Sequence, residues 1–152
     1  MGTAKPVVRP ITEADLEAVI ALDGSITGSS RKGFYTKRWA AMNGAPEAFE
    51  WLVAVAGNRV AGFVSTHILD GEFGGTEPTA VIDAIGVLPE LRKQGIARAL
   101  MEALEARLKA RHITELRTKA DWMPHNLVQF FAGAGFQLAP SLVLESEIAT
   151  HL

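Results

Sequence analysis

Apolar positions along this chain repeat with two periods, one suited to helices and one to strands. Pro6 to Pro10 is short and β-branched and reads as an opening strand. Thr12 followed by Asp15 is an N-cap signal, and Leu16, Val19, Ile20 and Ala21 then recur at helical spacing up to Gly24. Ser25 to Gly33 reads as a polar loop. Phe34 to Asn43 predicts a second helix with an aromatic face of Phe34, Tyr35 and Trp39, stopped by Gly44 and Pro46. Phe49 to Ala56 and Arg59 to Leu69 predict two strands around the turn dipeptide Gly57-Asn58. Asp70 to Pro78 is a loop by composition. Thr79 to Leu88 is mostly apolar, closed by Pro89, and fits a central strand buried on both faces. Gly95 to Arg111 is the clearest helix, with Ile96, Ala99, Leu100, Ala103, Leu104 and Leu108 as its stripe. A strand over Ile113 to Lys119, a short helix over Asn126 to Ala134 and a final strand over Leu142 to Ile148 complete the pattern.

This order of elements predicts a single mixed α/β or α+β sheet domain over residues 1–152, with no repeat and no linker. A chain of 152 residues buries enough apolar surface to fold without a metal or a disulfide. It has no cysteine, so disulfides, thiolate zinc sites and cysteine nucleophiles drop out, and a reducing compartment fits. The net charge of -2 and the lack of a long basic run argue against a nucleic-acid partner. Met1 to Pro10 lacks the apolar core of a signal peptide, and no stretch approaches the ~20 apolar residues of a membrane span. The expectation is a soluble cytoplasmic protein with no membrane partner.

Chemistry concentrates in Ile82 to Leu100, where an apolar strand turns through Arg92-Lys93-Gln94-Gly95-Ile96-Ala97 into the long helix. The first N–H groups of a helix lack intrahelical acceptors, and the macrodipole adds about half a positive charge there. A phosphate can accept several of those N–H groups at once. Gly95 removes a Cβ that would hold a phosphate away, and Ala97 keeps the next contact small. Arg92, Lys93 and Arg98 are cations at the end of a helix where cations are unfavourable by about 0.3–1 kcal/mol each. An anion bound among them resolves that conflict; a solvated basic first turn is the other reading. GxGxxG and GxxxxGK[ST] are both absent, which weakens dinucleotide and P-loop readings, and neither HExxH nor GxSxG occurs.

Arg92-x-x-Gly95-x-Ala97 after an apolar strand resembles the [QR]-x-x-G-x-[GA] signature of the GNAT superfamily of N-acetyltransferases. The preceding Val87-Leu88-Pro89-Glu90 is similar to the family's V-x-P-E run. Phe130 to Phe136 is similar to its later (F/Y)-x-x-x-G-F segment. The resemblance extends over about Val7 to Ile148. It implies a mixed, mostly antiparallel twisted sheet of six to seven strands flanked by about four helices, with two central parallel strands splayed apart. It also implies that acetyl-CoA enters the splay as cosubstrate. Ile85, Gly86 and Val87 would then pair with the pantetheine arm, and Arg92, Lys93, Gln94, Gly95, Ile96, Ala97 and Arg98 would hold the pyrophosphate. No metal is implied.

In such a reaction an amine attacks the thioester directly. Deprotonating a lysine-like amine of pKa ~10.4 costs roughly 4.6 kcal/mol at pH 7, against about 1.4 for an α-amine near ~8. A general base is therefore useful, and the Val87 N–H could stabilise the oxyanion. Asp83 is the first candidate base, since a carboxylate in an apolar strand is costly without a role; the other reading is a structural aspartate bonded to loop N–H groups. Some family members carry a glutamate at the position of Val81, which shares a strand face with Asp83. Asp121 is the second candidate, or else a cap. Many family members have a tyrosine as general acid four residues before the later glycine; that position here is Phe131, which cannot donate a proton. The matching asparagine falls at Pro124, and Asn126 and His125 lie displaced from it. His67 and His112 read as ordinary strand and surface residues.

On the acceptor side, Arg31 reads either as a contact to an acidic substrate group or as part of a solvated loop. Tyr35 shares a helix face with Trp39, in the core or as an aromatic wall. Glu72 reads as lining the acceptor site or as solvated. The acceptor is a primary amine of a small molecule or protein, and the lack of an acidic run disfavours a highly basic one. A homodimer through a sheet edge is a further expectation from the resemblance. Phe131 keeps a second functional class open, a non-catalytic acyl-CoA-binding or sensor domain, and a purely structural module is a third.

Overall fold

The computed structural model describes residues 5–71, 75–119, 130–139 and 144–148. Glu72, Asp121, Pro124, His125 and Asn126 lie outside the described residues. The chain divides into two compact units, residues 1–119 and 120–152.

The first unit runs β1 (Val7–Pro10), α1 (Glu13–Thr27), α2 (Lys32–Gly44), a 3-10 turn (Pro46–Ala48), β2 (Phe49–Ala56), β3 (Arg59–Asp70), β4 (Pro78–Val87), a second 3-10 turn (Pro89–Leu91), α3 (Ile96–Ala110) and β5 (Glu115–Thr118). The strands form one sheet in the order β1-β2-β3-β4-β5. The first three pairings are antiparallel and β4–β5 is parallel. This is the mixed, mostly antiparallel architecture expected, with five of the six to seven strands present among the described residues. Gly57 and Asn58 both take positive φ, 56° and 66°, as a tight hairpin turn between right-twisted strands requires.

Helices cover both faces of the sheet. Val19 and Leu22 of α1 and Tyr35 of α2 pack with Trp51, Val53 and Phe63 on one face. Gly62, next to Phe63 on β3, faces the other way: a Cβ there would lie 3.0 Å from Ile96 Cγ2 and 3.2 Å from Leu100 Cδ1 of α3. The α3 stripe buries Ile96, Leu100, Met101, Leu104 and Leu108. On that face Glu50 accepts from Arg107 Nε at 2.7 Å and Arg111 Nη1 at 3.1 Å.

Helix α1 starts where Thr12 and Asp15 predict. The Asp15 carboxylate accepts from the Thr12 N–H (2.8 Å) and hydroxyl (2.9 Å) and from Arg9 (2.6 and 3.0 Å). The helix does not end at Gly24, as its sequence suggested. Gly24 lacks the left-handed conformation of a stop, and its carbonyl accepts from the N–H of Gly28, whose φ is 86°. A mid-helix glycine costs about 1 kcal/mol without breaking the helix, so the true stop lies four residues on. The predicted loop Ser25 to Gly33 shrinks accordingly, because α2 begins at Lys32.

In the second unit, residues 130–133 are helical, and the turn closes through Phe136 N–H to Phe131 O (2.9 Å) with Gly135 at φ 96°. Phe131 stacks edge-on against Phe130 and Phe136. The predicted final strand is a correction: Leu144 to Ile148 take no strand pairing, and Leu142 and Val143 lie outside the described residues. An alternating apolar run becomes a strand only with a partner edge in register.

Candidate active site

β4 pairs with β3 along its whole length but with β5 only from Thr79–Glu115 to Ile82–Thr118. From Asp83 to Val87 its second edge has no strand partner among the described residues. Leu88 N–H donates to Ala61 O at 2.8 Å, on the β3 side. Strand alternation then turns Ala84 and Gly86 toward β3, and the N–H and C=O of Ile85 and Val87 toward the open edge. Backbone groups in that orientation can bond an amide-bearing chain laid alongside, as another strand would.

The open edge leads into the loop before α3. Leu91 N–H bonds Leu88 O (2.9 Å) and Arg92 N–H bonds Pro89 O (3.4 Å), after which the next backbone donor in use is Ala99, to Gly95 O at 2.9 Å. Among the described residues nothing accepts from the N–H groups of Lys93, Gln94, Gly95, Ile96, Ala97 or Arg98. Lys93 and Gly95 are left-handed, at φ 65° and 81°. Left-handed residues near a helix start turn successive N–H groups into a concave anion site. Lys93 adopts that conformation without being glycine, at a cost of about 1–2 kcal/mol. The reason for Gly95 differs from the sequence argument. A Cβ there would meet nothing within 4 Å, so the backbone angle demands glycine while the space above it stays open. Arg92, Lys93 and Arg98 are exposed, and none pairs with a carboxylate among the described residues. A depression of about 480 Å³ borders the loop toward β1, with Lys5, Arg59, Gln94 and Ile96 in its wall.

Asp83 owes its position to a β-bulge. Ser65 opposes Ala84 and Thr66 opposes Ile82, which leaves Asp83 as the extra residue of β4. Asp83 and Ala84 therefore both face α1 and α2. The Asp83 carboxylate lies 2.9 Å from His67 Nδ1 and 3.4 Å from Arg38 Nη2. Its side chain is 10% exposed and that of His67 20%. The partners of Asp83 are thus side chains from β3 and α2, not the loop N–H groups suggested by sequence. Arg38 lies over the Phe34 ring, 5.2 Å from its centre. Sequence reasoning missed His67 and Arg38, because their separations from Asp83 in the chain, 16 and 45 residues, leave no local signal.

Gly86 sits one turn of the pleat beyond this cluster. A Cβ there would come within 2.9 Å of Ile26 Cδ1 and Phe63 Cε1, so α1 approaches β4 closely only at a glycine.

Two acceptor-side candidates have partners inside the protein. Arg31 is held by the buried Asp23, through Nε to Oδ2 at 2.7 Å and Nη2 to Oδ1 at 2.5 Å, and also donates to the Tyr35 hydroxyl at 3.3 Å. Its charge is answered by Asp23 within the protein. Tyr35 is wholly buried against Phe34, Trp51 and Phe63, so it builds the core and not an acceptor wall. Burial and the neighbouring Asp23 carboxylate push its hydroxyl above the ordinary phenol range. Among the described residues, no group of three His, Asp or Glu gathers as a metal site, and no helix is long and apolar enough to cross a membrane.

The fold recurs in known proteins. The fold is similar to a transcriptional regulator from Bacillus halodurans C-125 (TM-score 0.79, 18% identity, 95% of this chain and 100% of that one). It is also similar to aminoglycoside antibiotic 6'-N-acetyltransferase AAC(6')-Ih from Acinetobacter baumannii (0.79, 22%, 95% and 99%). A third similar structure is aminoglycoside N-acetyltransferase AAC(6')-Iy in complex with CoA (0.81, 16%, 98% and 98%). No curated protein matches the sequence. Residues 17–136 match the acetyltransferase (GNAT) family, and the chain belongs to that family.

Proposed function

We propose that this protein is an acetyl-CoA-dependent N-acetyltransferase that acts on a primary amine of a small molecule by direct attack in a ternary complex. The observation that carries the reading is a pair of unused main-chain donor sets that follow one another along the chain, Ile85 and Val87 on the open edge and then the amides of Lys93 through Arg98. Their order suits one ligand with amide groups at one end and a diphosphate at the other. In this reading Ile85 and Val87 hold the pantetheine amides, and the loop amides with Arg92, Lys93 and Arg98 hold the pyrophosphate. The open space above Gly95 takes a phosphate oxygen. The thioester then supplies an acyl group with a good leaving group, a thiol of pKa near ~8.5. With the diphosphate at Lys93 through Arg98, the acyl end of the ligand falls at the Ile85 end of the open edge. The Ile85 N–H, rather than the Val87 N–H, is then the oxyanion donor, and the Ile85 carbonyl and Val87 serve the amides. The similar structures named for aminoglycoside acetylation support a small-molecule amine as acceptor; a CoA complex among them supports the cosubstrate.

The test has two arms. Acetyl-CoA at a hundredfold excess over its Kd is expected to raise stability by about 2.7 kcal/mol, with an affinity that falls as salt rises. Thiol release is then followed across aminoglycosides, polyamines, amino acids and peptides. No thermal shift with either CoA or acetyl-CoA contradicts the reading at its cosubstrate. Binding without thiol release from any amine contradicts it at catalysis.

A further inference from the structure

Resting on that proposed function, we infer that His67 takes the proton from the acceptor amine and that Asp83 is its positioning residue. The sequence makes Asp83 the natural candidate base, yet the bulge at Asp83 turns its carboxylate onto a histidine of the neighbouring strand. A carboxylate only accepts hydrogen bonds at neutral pH, so the 2.9 Å contact places the ring proton on Nδ1. The lone pair is then on Nε2, which has no hydrogen-bond partner among the described residues. Asp83 is one-tenth exposed and carries two cationic or donor neighbours, whereas His67 keeps a fifth of its surface open. The more accessible group is the better placed to meet an amine, and the buried one to orient it.

The cluster also sits where the chemistry would occur. Asp83 is the first residue of the open half of β4, two residues from Ile85. His67 opposes Val81 on β3, on the face covered by α1 and α2. The charged groups facing it are Asp83 from β4 and Arg38 from α2. On β5, Arg117 shares the face by its register with Val81, and Glu115 neutralises it at 2.6 Å. On β2 the residue opposite His67 is Phe49, and on α1 Asp23 is answered by Arg31. Arg38 limits the negative charge of Asp83, so the dyad holds its geometry without a free carboxylate competing for the amine.

The step balances as follows. Nε2 removes one proton from the ammonium group of the acceptor. The freed nitrogen bonds to the thioester carbonyl carbon, the C–S bond breaks, and its electron pair stays on sulfur. The nitrogen's second proton goes to that sulfur, giving the amide and the CoA thiol, and the imidazolium returns its proton to water.

Wild type, His67→Gln, Asp83→Asn and Asp83→Glu are compared with saturating acetyl-CoA and the best amine of the panel. For His67→Gln, kcat is expected to fall about 10²–10⁴-fold, with Tm and acetyl-CoA Kd nearly unchanged. The acidic limb of the kcat/KM profile, which reports protonation of Nε2, disappears and leaves only the titration of the amine itself. Asp83→Asn is expected to lower kcat by roughly tenfold or more, and Asp83→Glu to recover part of it. Nitrogen NMR of the imidazole should find the Nδ1–H tautomer in wild type and a mixture in Asp83→Asn. Full activity with an unmoved acidic limb in His67→Gln, or an Nε2–H tautomer in wild type, overturns the inference while acetyl-CoA binding still stands. Loss of acetyl-CoA binding in wild type defeats the proposed function first, and this inference with it.

Discussion

Between Thr79 and Ile82, β4 is bonded along both edges, to β3 and to β5, whereas from Asp83 to Val87 only the β3 edge is bonded. In the lower half Thr79, Ala80 and Ile82 are buried, and the main chain meets its hydrogen-bonding needs within the sheet. In the upper half Asp83, Ala84 and Ile85 each keep part of their surface open, one residue is bulged, and two backbone amides point away from the sheet. A main-chain amide that leaves its ladder must be answered by water or by a ligand. One strand therefore divides its length between stability and binding. The bulge marks the border and sets an ionisable dyad beside it.

Substitutions on the two sides of that border should separate the two roles. The largest stability effect is expected from Ile82→Ala in the closed half, 4% exposed. It should cost about 2–4 kcal/mol in urea unfolding, with acetyl-CoA affinity per folded molecule little changed. Gly95→Glu should do the reverse. A carboxylate where an anion is expected, at a φ of 81°, should weaken acetyl-CoA at least 100-fold, about 2.7 kcal/mol, while stability falls by only about 1 kcal/mol. Calorimetric titration beside thermal melting reads both; retained affinity would detach the loop from the cosubstrate.

Asp15→Asn is a control remote from both halves. Hydrogen bonds from Arg9 hold the Asp15 carboxyl down to about 2, below its ordinary range. A group so depressed stabilises the fold at neutral pH, and that contribution is lost as pH falls through about 2. With Arg9 partly exposed, the substitution should cost about 1–2 kcal/mol at pH 7. The difference from wild type should narrow below about pH 4 and close below about pH 2, and acetyl-CoA affinity should hold. A difference independent of pH would contradict the ion-pair account. Ile85→Ala should have the smallest effect on the free protein, about 1 kcal/mol. A loss equal to that of Ile82→Ala would remove the contrast between the two halves.

Local chemistry made most of this legible in the sequence. The period of Ile96 to Leu108, the Gly57-Asn58 turn and the Thr12/Asp15 start are local, and each element formed where its residues placed it. The loop around Gly95 was found by its composition, although the glycine answers to a backbone angle rather than to crowding. What stayed hidden is non-local. Alternation cannot reveal the bulge at Asp83, because an extra residue shows only against the register of β3. His67, Arg38 and the Asp23 partner of Arg31 are brought in by tertiary packing. Gly24 misled because a glycine inside a helix and one that stops it are the same letter, and only the φ of Gly28 tells them apart.

Residue-resolved amide hydrogen exchange, with and without saturating CoA, tests the central claim most directly. The account predicts added protection at Ile85, Val87 and Lys93 through Arg98, and little change at Gly86, whose amide already faces β3. Unchanged exchange at the loop and the open edge with CoA bound elsewhere would contradict it.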